Sequence, residues 1–132
     1  IPHIAPKPHS WRTLKTKGSQ RQVPLVGASL WAAQRISETA SSCFAFDRYT
    51  DNQQCRANSA SNALNKWMQT NFCNDIVIHG FRHALRDRLR AVQCPSEMID
   101  QIGGWSSSDV GESYGEGFPL SNLQEWCNKI TL

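Results

Sequence analysis

His79 to Tyr114 reads HGFRHALRDRLRAVQCPSEMIDQIGGWSSSDVGESY, and the periodicity inside it decides the class of fold. Phe81, Leu85, Leu89 and Val92 recur at i, i+4, i+8 and i+11, one apolar face of a helix. Arg82, Arg86 and Arg90 repeat at every fourth residue beside that face, about 100° round the axis. The helix is therefore predicted to be anchored by a core stripe and to show a basic stripe next to it. His79 and Arg82 stand three apart at its start and can point the same way. An imidazole and a cation converging at a positive helix terminus make a phosphate site. Arginine suits that task because its planar fork bonds two phosphate oxygens at once. A second short helix is predicted from Pro95 to about Ile102, ended by Gly103-Gly104. Trp105 follows directly, and Ser106-Ser107-Ser108-Asp109 offers several N-cap groups. Tyr114 sits nine residues beyond Trp105, with Gly111, Gly115 and Gly117 giving the backbone round the phenol freedom to move.

The rest of the chain reads as support for this stretch. Residues 1–9 are extended, because three prolines block helix. Lys15-Thr-Lys-Gly-Ser-Gln reads as a turn and Arg21-Gln-Val-Pro-Leu-Val as a returning strand, together a β-hairpin with a lysine-rich tip. Ser29 is the expected cap of a helix through Leu30, Trp31, Ala33, Ile36 and Ala40. Residues 41–54 form a loop with an aromatic knot in which Tyr49 packs. A further helix is expected from about Ala57 to Asn71, with Ala60, Ala63, Leu64, Trp67 and Met68 as its core face and Lys66 on the outer side. Ser121 is read as the cap of a C-terminal amphipathic helix carrying Leu123, Trp126 and Ile130 inward. The fold class is thus α+β, mainly α, with a small N-terminal antiparallel hairpin or sheet.

Composition narrows the function classes. A chain of 132 residues with 39% apolar residues and five tryptophans suffices for one domain around one core. A net charge of +3 permits nucleic-acid binding without establishing it. Five cysteines, Cys43, Cys55, Cys73, Cys94 and Cys127, are odd in number and no two are spaced as CxxC. They read as reduced cytosolic thiols, so neither a disulfide framework nor a zinc site is expected. No signal peptide and no apolar run of about 18 residues appear, so no membrane partner is expected.

His79-Gly-Phe-Arg82, then Gly104-Trp105, then Tyr114 nine residues on, resembles the tyrosine recombinase family of the phage-integrase type. LKTKGSQRQVPLV, residues 14–26, is similar to the hairpin on which that family carries its catalytic lysine. Lys15 aligns with the first lysine of the pattern, and Lys17 is the alternative. The resemblance covers about Trp11 to Ile130. It implies a tyrosine-recombinase catalytic-domain-like helical fold and site-specific DNA recombination, integration and excision of a mobile element. Tyr114 is the implied nucleophile, Arg82, His79 and Trp105 the groups meeting the phosphate, and Lys15 or Lys17 the general acid. Arg86, Arg90, Arg21 and His83 are candidate DNA contacts. The implied intermediate is a 3′-phosphotyrosine, which keeps the phosphodiester energy, so no cofactor and no metal are expected. The implied partner is double-stranded DNA at attachment sites, held by a tetramer on two duplexes. The implied setting is cytoplasmic, nucleoid-associated and bacterial or phage-encoded. The family's first arginine lies upstream of the hairpin, and Arg12 is too close to the lysine to replace it. Residues 1–132 are therefore expected to be the C-terminal part of an integrase catalytic domain, inactive without the upstream arginine region and the N-terminal DNA-binding domains. Two other readings stand beside this one: a DNA-gripping remnant that does not cut, and a protein-interaction module using the aromatic loop and C-terminal helix.

Overall fold

In the computed structural model the described residues are 1–15, 19–105 and 117–131. They form β1 (His3–Ile4), β2 (Val23–Pro24), α1 (Gly27–Thr39), α2 (Ala57–Asn71), α3 (Gly80–Ala91), α4 (Ser96–Gly103) and α5 (Leu120–Lys129). The architecture is mainly helical with one small antiparallel sheet, as the patterning predicts.

The core forms where α3, α4 and α5 meet. Leu89, Cys94, Met98, Ile99, Ile102, Leu123 and Cys127 are buried there, and Val23, Val26, Leu85, Trp105, Phe118, Trp126 and Ile130 pack round them. α3 ends in a Schellman turn: Gln93 N–H donates to Arg90 O (2.9 Å) and Cys94 N–H to Leu89 O (3.0 Å). Gln93 takes the left-handed conformation, φ 61°, that such a turn demands and that glycine usually fills. The turn brings Cys94 back onto Leu89, so the end of α3 is closed by a core contact. α4 ends on Gly104 at φ 65°, with the amides of Gly104 and Trp105 both donating to Asp100 O. The tail of α5 is tied to α3 by a hydrogen bond from the Arg88 guanidinium to Ile130 O.

Burial raises the thiol of Cys127 to about 11, with Cys94 beside it adding to the rise. Burial raises Cys94 as well. Both are therefore expected to resist iodoacetamide at pH 8 in the folded chain, whereas the exposed Cys43 and Cys73 react. Mass spectrometry of the alkylated chain checks this. The raised pKa also sets the sign of a pH effect. Stability from these thiols is complete below about pH 8.5, where the unfolded thiol is also protonated, and falls as pH rises towards 11.

Several expectations need correcting. The antiparallel sheet is present, but its first strand lies upstream of the lysine pattern, at His3–Ile4. His3 pairs with Pro24 and Ile4 with Val23, so residues 5–22 lie between the strands. Within them His9 and Arg12 close their own small turn, each amide donating to the other's carbonyl. Prolines 2, 6, 8 and 24 supply no amide, which keeps the ladder short. Ser29 is not the cap of α1 but its third residue. Its hydroxyl accepts from Val26 N–H (3.0 Å) and donates to Val26 O (2.7 Å), so the helix begins at Gly27. Ser121 likewise lies inside α5, which starts after Pro119. α2 has the predicted bounds, but its apolar face is not core: Met68 is buried while Leu64 is 47% and Trp67 56% exposed. Trp67 meets Phe72 edge-to-face at 5.3 Å, on the same outward side. Phe81 at the start of α3 is 58% exposed, because the packing of α3 against α4 runs through Leu85 and Leu89 further along. Among the described residues no helix is long and apolar enough to cross a membrane.

Candidate active site

Trp105 sets the geometry of the site, and the Gly-Gly pair before it explains how. A Cβ on Gly103 would lie 1.7 Å from Trp105 Cζ3, so the indole folds back over the bare backbone at the end of α4. On α3, Arg82 and Arg86 are one helical turn apart and both reach this ring. The Arg82 Cζ lies 4.3 Å from the ring centroid and the Arg86 Cζ 5.0 Å. An indole face attracts guanidinium through its quadrupole, by about 0.5–1 kcal/mol at an exposed site and more when desolvated. The tryptophan is thus a platform that gathers two cations from the basic stripe.

Arg21 joins them from the segment leading into β2. Its Nε–H donates to Ile102 O (3.1 Å) and its Nη1 to Ser19 O (3.1 Å). The guanidinium lies against Gly104, where a Cβ would come within 2.5 Å of Nη1. Gly103 and Gly104 therefore seat the indole and Arg21 respectively. Burial, and secondly the neighbouring positive charge of Arg82, lower the Arg21 pKa. Even so, an arginine stays charged in any accessible pH range.

Among the described residues, one carboxylate pairs with this cluster, through Arg86. Asp100 Oδ1 is 3.7 Å from Arg86 Nη2, and both groups are partly buried. The Nε of Arg86 is buried and has no hydrogen-bond partner among the described residues. Among the described residues, three guanidinium groups against one carboxylate leave a net positive cluster of planar donors, the kind of group that suits a phosphate oxyanion.

The sequence-predicted residues divide as follows. Arg82, Trp105, Arg86 and Arg21 come together. His79 precedes α3 with helical dihedrals, and its carbonyl accepts from Arg82 N–H (3.1 Å). Its ring does not cap the helix; it meets the ring of His83 at 5.2 Å between centroids. Arg90 is exposed on the last turn of α3, where a cation complements the helix dipole. Lys15 is exposed in the connection between β1 and β2. Lys17 and Tyr114 lie outside the described residues. Arg86 pairs with Asp100 rather than with its sequence neighbour Asp87. Among the described residues no three His, Cys, Asp or Glu side chains converge as a metal centre.

Two participants were not foreseen. Asp100 carried no signal in the sequence beyond its place one turn before Gly104. Gln101 clamps the chain beyond the site: its Nε2 donates to Phe118 O (3.0 Å) and its Oε1 accepts from Phe118 N–H (2.8 Å). Trp105 and Phe118, on either side of the segment that carries Tyr114, are thus both fixed to α4.

The chain matches no family model, and searches of curated proteins and of solved structures find no match to it either.

Proposed function

We propose that this chain belongs to a DNA strand transferase of the tyrosine-recombinase type, with the arginine cluster on Trp105 as its phosphate site. The observation that supports this reading is the meeting of Arg82 and Trp105 at 4.3 Å. The sequence pattern assigns both to one phosphate, although they stand on different elements. Arg21 and Arg86 beside them raise the positive charge available to that phosphate.

The chemistry runs in two balanced transfers. The phenol oxygen of Tyr114 bonds to a backbone phosphorus, and the bond from that phosphorus to the 5′-oxygen breaks. His79 accepts the phenol proton, and Lys15 or Lys17 gives a proton to the leaving 5′-oxygen. A phenol with an ordinary pKa near 10 needs such a base or local cations to react at neutral pH. The guanidinium of Arg82 meets the added negative charge of the five-coordinate phosphorus. A 5′-hydroxyl of another strand then attacks the phosphotyrosine phosphorus and gives its proton to the lysine; the phosphorus–oxygen bond to Tyr114 breaks, and His79 returns a proton to the phenol, leaving DNA rejoined in a new connection. In this reading the substrate is duplex DNA bearing attachment sites, and exchange between two duplexes calls for a tetramer.

Covalent capture tests it. Nicked duplexes carrying candidate attachment sequences are incubated with the 132-residue chain and with a chain extended at its N-terminus. The extension is included because the family pattern has an arginine ahead of the sheet. A DNA–protein adduct from the extended chain that survives denaturation and disappears in Tyr114→Phe is the expected result. An adduct that persists in Tyr114→Phe removes the assignment of the nucleophile. Salt-sensitive binding with no adduct from either chain favours a DNA-gripping remnant.

A further inference from the structure

We infer that His79 and His83 form a two-point binding site for a tetrahedral divalent transition-metal ion such as Zn²⁺, on the exposed first turn of α3. The two rings approach to 5.2 Å between centroids with an interplanar angle of 78°. An ion bound at about 2.0–2.1 Å by one nitrogen from each of two imidazoles, in tetrahedral arrangement, holds the ring centres about 5 Å apart. The observed spacing of the ring centres, 5.2 Å, matches that of a chelating pair. The chain supplies it by arithmetic: residues four apart on a helix are neighbours on one face. The same i, i+4 histidine spacing is what holds zinc in helical metalloprotease motifs.

The surroundings permit an ion here. Both rings are exposed, so neither ion nor ligand has to be desolvated deeply, and two water molecules complete the four positions. Asp87 continues the same stripe one turn on and is exposed, a carboxylate that offsets local positive charge without being a ligand. The opposing charges are Arg82 and the positive end of the helix. Arg82, however, is drawn over the Trp105 ring, and a helix dipole is screened at an exposed terminus. The other two histidines are not arranged this way. His3 bonds Ile1 O through Nδ1, and His9 stacks on Trp11 at 5.1 Å.

A consequence follows that rests on the proposed strand-transfer reading. An ion held by His79 takes the nitrogen lone pair that would accept the tyrosine proton, so Zn²⁺ is an inhibitor of cleavage rather than its cofactor. Binding and inhibition are separate measurements, so the site stands or falls without the reading.

The test is an NMR titration of the 132-residue chain with Zn²⁺ alone, following the ring signals of its four histidines. Reading ring signals separates binding at imidazole from capture by the exposed thiols of Cys43 and Cys73. The expected result is that the His79 and His83 signals move together and saturate with one ion, while His3 and His9 do not follow. His83→Gln is expected to weaken that binding at least tenfold, as is His79→Gln. Both positions are exposed, so both variants keep the fold. Signals of His79 and His83 that stay still at millimolar Zn²⁺ overturn the site, and so does a His83→Gln variant whose His79 signal titrates unchanged. If the site is confirmed but cleavage is not slowed by Zn²⁺, the metal site survives and the role of His79 as base is removed.

Discussion

On the proposed strand-transfer reading, Arg82→Ala in the N-terminally extended chain is expected to slow formation of the covalent DNA adduct by about 10²–10³-fold, with little loss of folded stability. The size of the effect comes from the role. A fixed donor aimed at charge that develops only in the transition state is worth about 2.7–4 kcal/mol of barrier when removed. The stability cost is smaller because the side chain contributes chiefly its contact with Trp105 at 4.3 Å, about 0.5–1 kcal/mol. Arg82→Lys separates charge from shape: the cation remains, but the fork that bonds two phosphate oxygens is gone. It is expected to recover DNA affinity and to leave most of the rate defect. Arg90→Ala serves as the contrast. Arg90 is exposed on the same stripe, one turn beyond Arg86, and its loss is expected to weaken binding to all sequences alike and to lower the salt slope by about one ion. Single-turnover rates on a nicked duplex, with affinities at two salt concentrations, distinguish these cases. If Arg82→Ala lowers affinity as Arg90→Ala does and leaves the rate alone, Arg82 grips DNA without taking part in cleavage.

The differing placement of these two arginines, one over Trp105 and one exposed, shows what sequence order carries and what it does not. Period and punctuation are local properties, so they were legible. α2 has the bounds its apolar spacing implied, and α4 stops at the glycine pair because Gly104 must take φ 65°. The contact of Arg82 with Trp105, 23 residues apart, follows from no local pattern. What was not legible is whether a face finds a partner. Leu64 and Trp67 have helical spacing that suits burial, yet they are turned outward, since the core closes through α3, α4 and α5. The same limit hid Arg21. Its bond to Ile102 O spans 81 residues, and no local pattern announces that a guanidinium will lie across a glycine so distant in the chain. Arg21 read as a generic DNA contact is, in the structure, a latch between the segment leading to β2 and the end of α4.

Gly103→Ala carries the second large effect, because a methyl group there competes for the space of the platform itself. The backbone does not object: Gly103 is the last residue of α4, without a positive φ, and alanine is the better helix former by about 1 kcal/mol. The obstacle is the indole. The new Cβ would lie 1.7 Å from Trp105 Cζ3 and 1.9 Å from Cε3, so the ring has to move by more than an ångström. It is not free to swing, since Arg82 and Arg86 lie over it and Gly103 beneath it is buried. Overpacking of this kind costs about 1–3 kcal/mol, which exceeds the gain in helix propensity. A lowered urea midpoint is therefore expected, and with it a loss of the phosphate affinity proposed for the arginine cluster. Gly80→Ala makes the control, because a Cβ at the start of α3 meets nothing within 4 Å. There only the propensity term acts, and stability is expected to rise by up to about 1 kcal/mol. A Gly103→Ala variant that gains stability as Gly80→Ala does would mean that the indole does not rest on Gly103. The seat of Arg82 and Arg86 would then have to be sought elsewhere on the surface of α3.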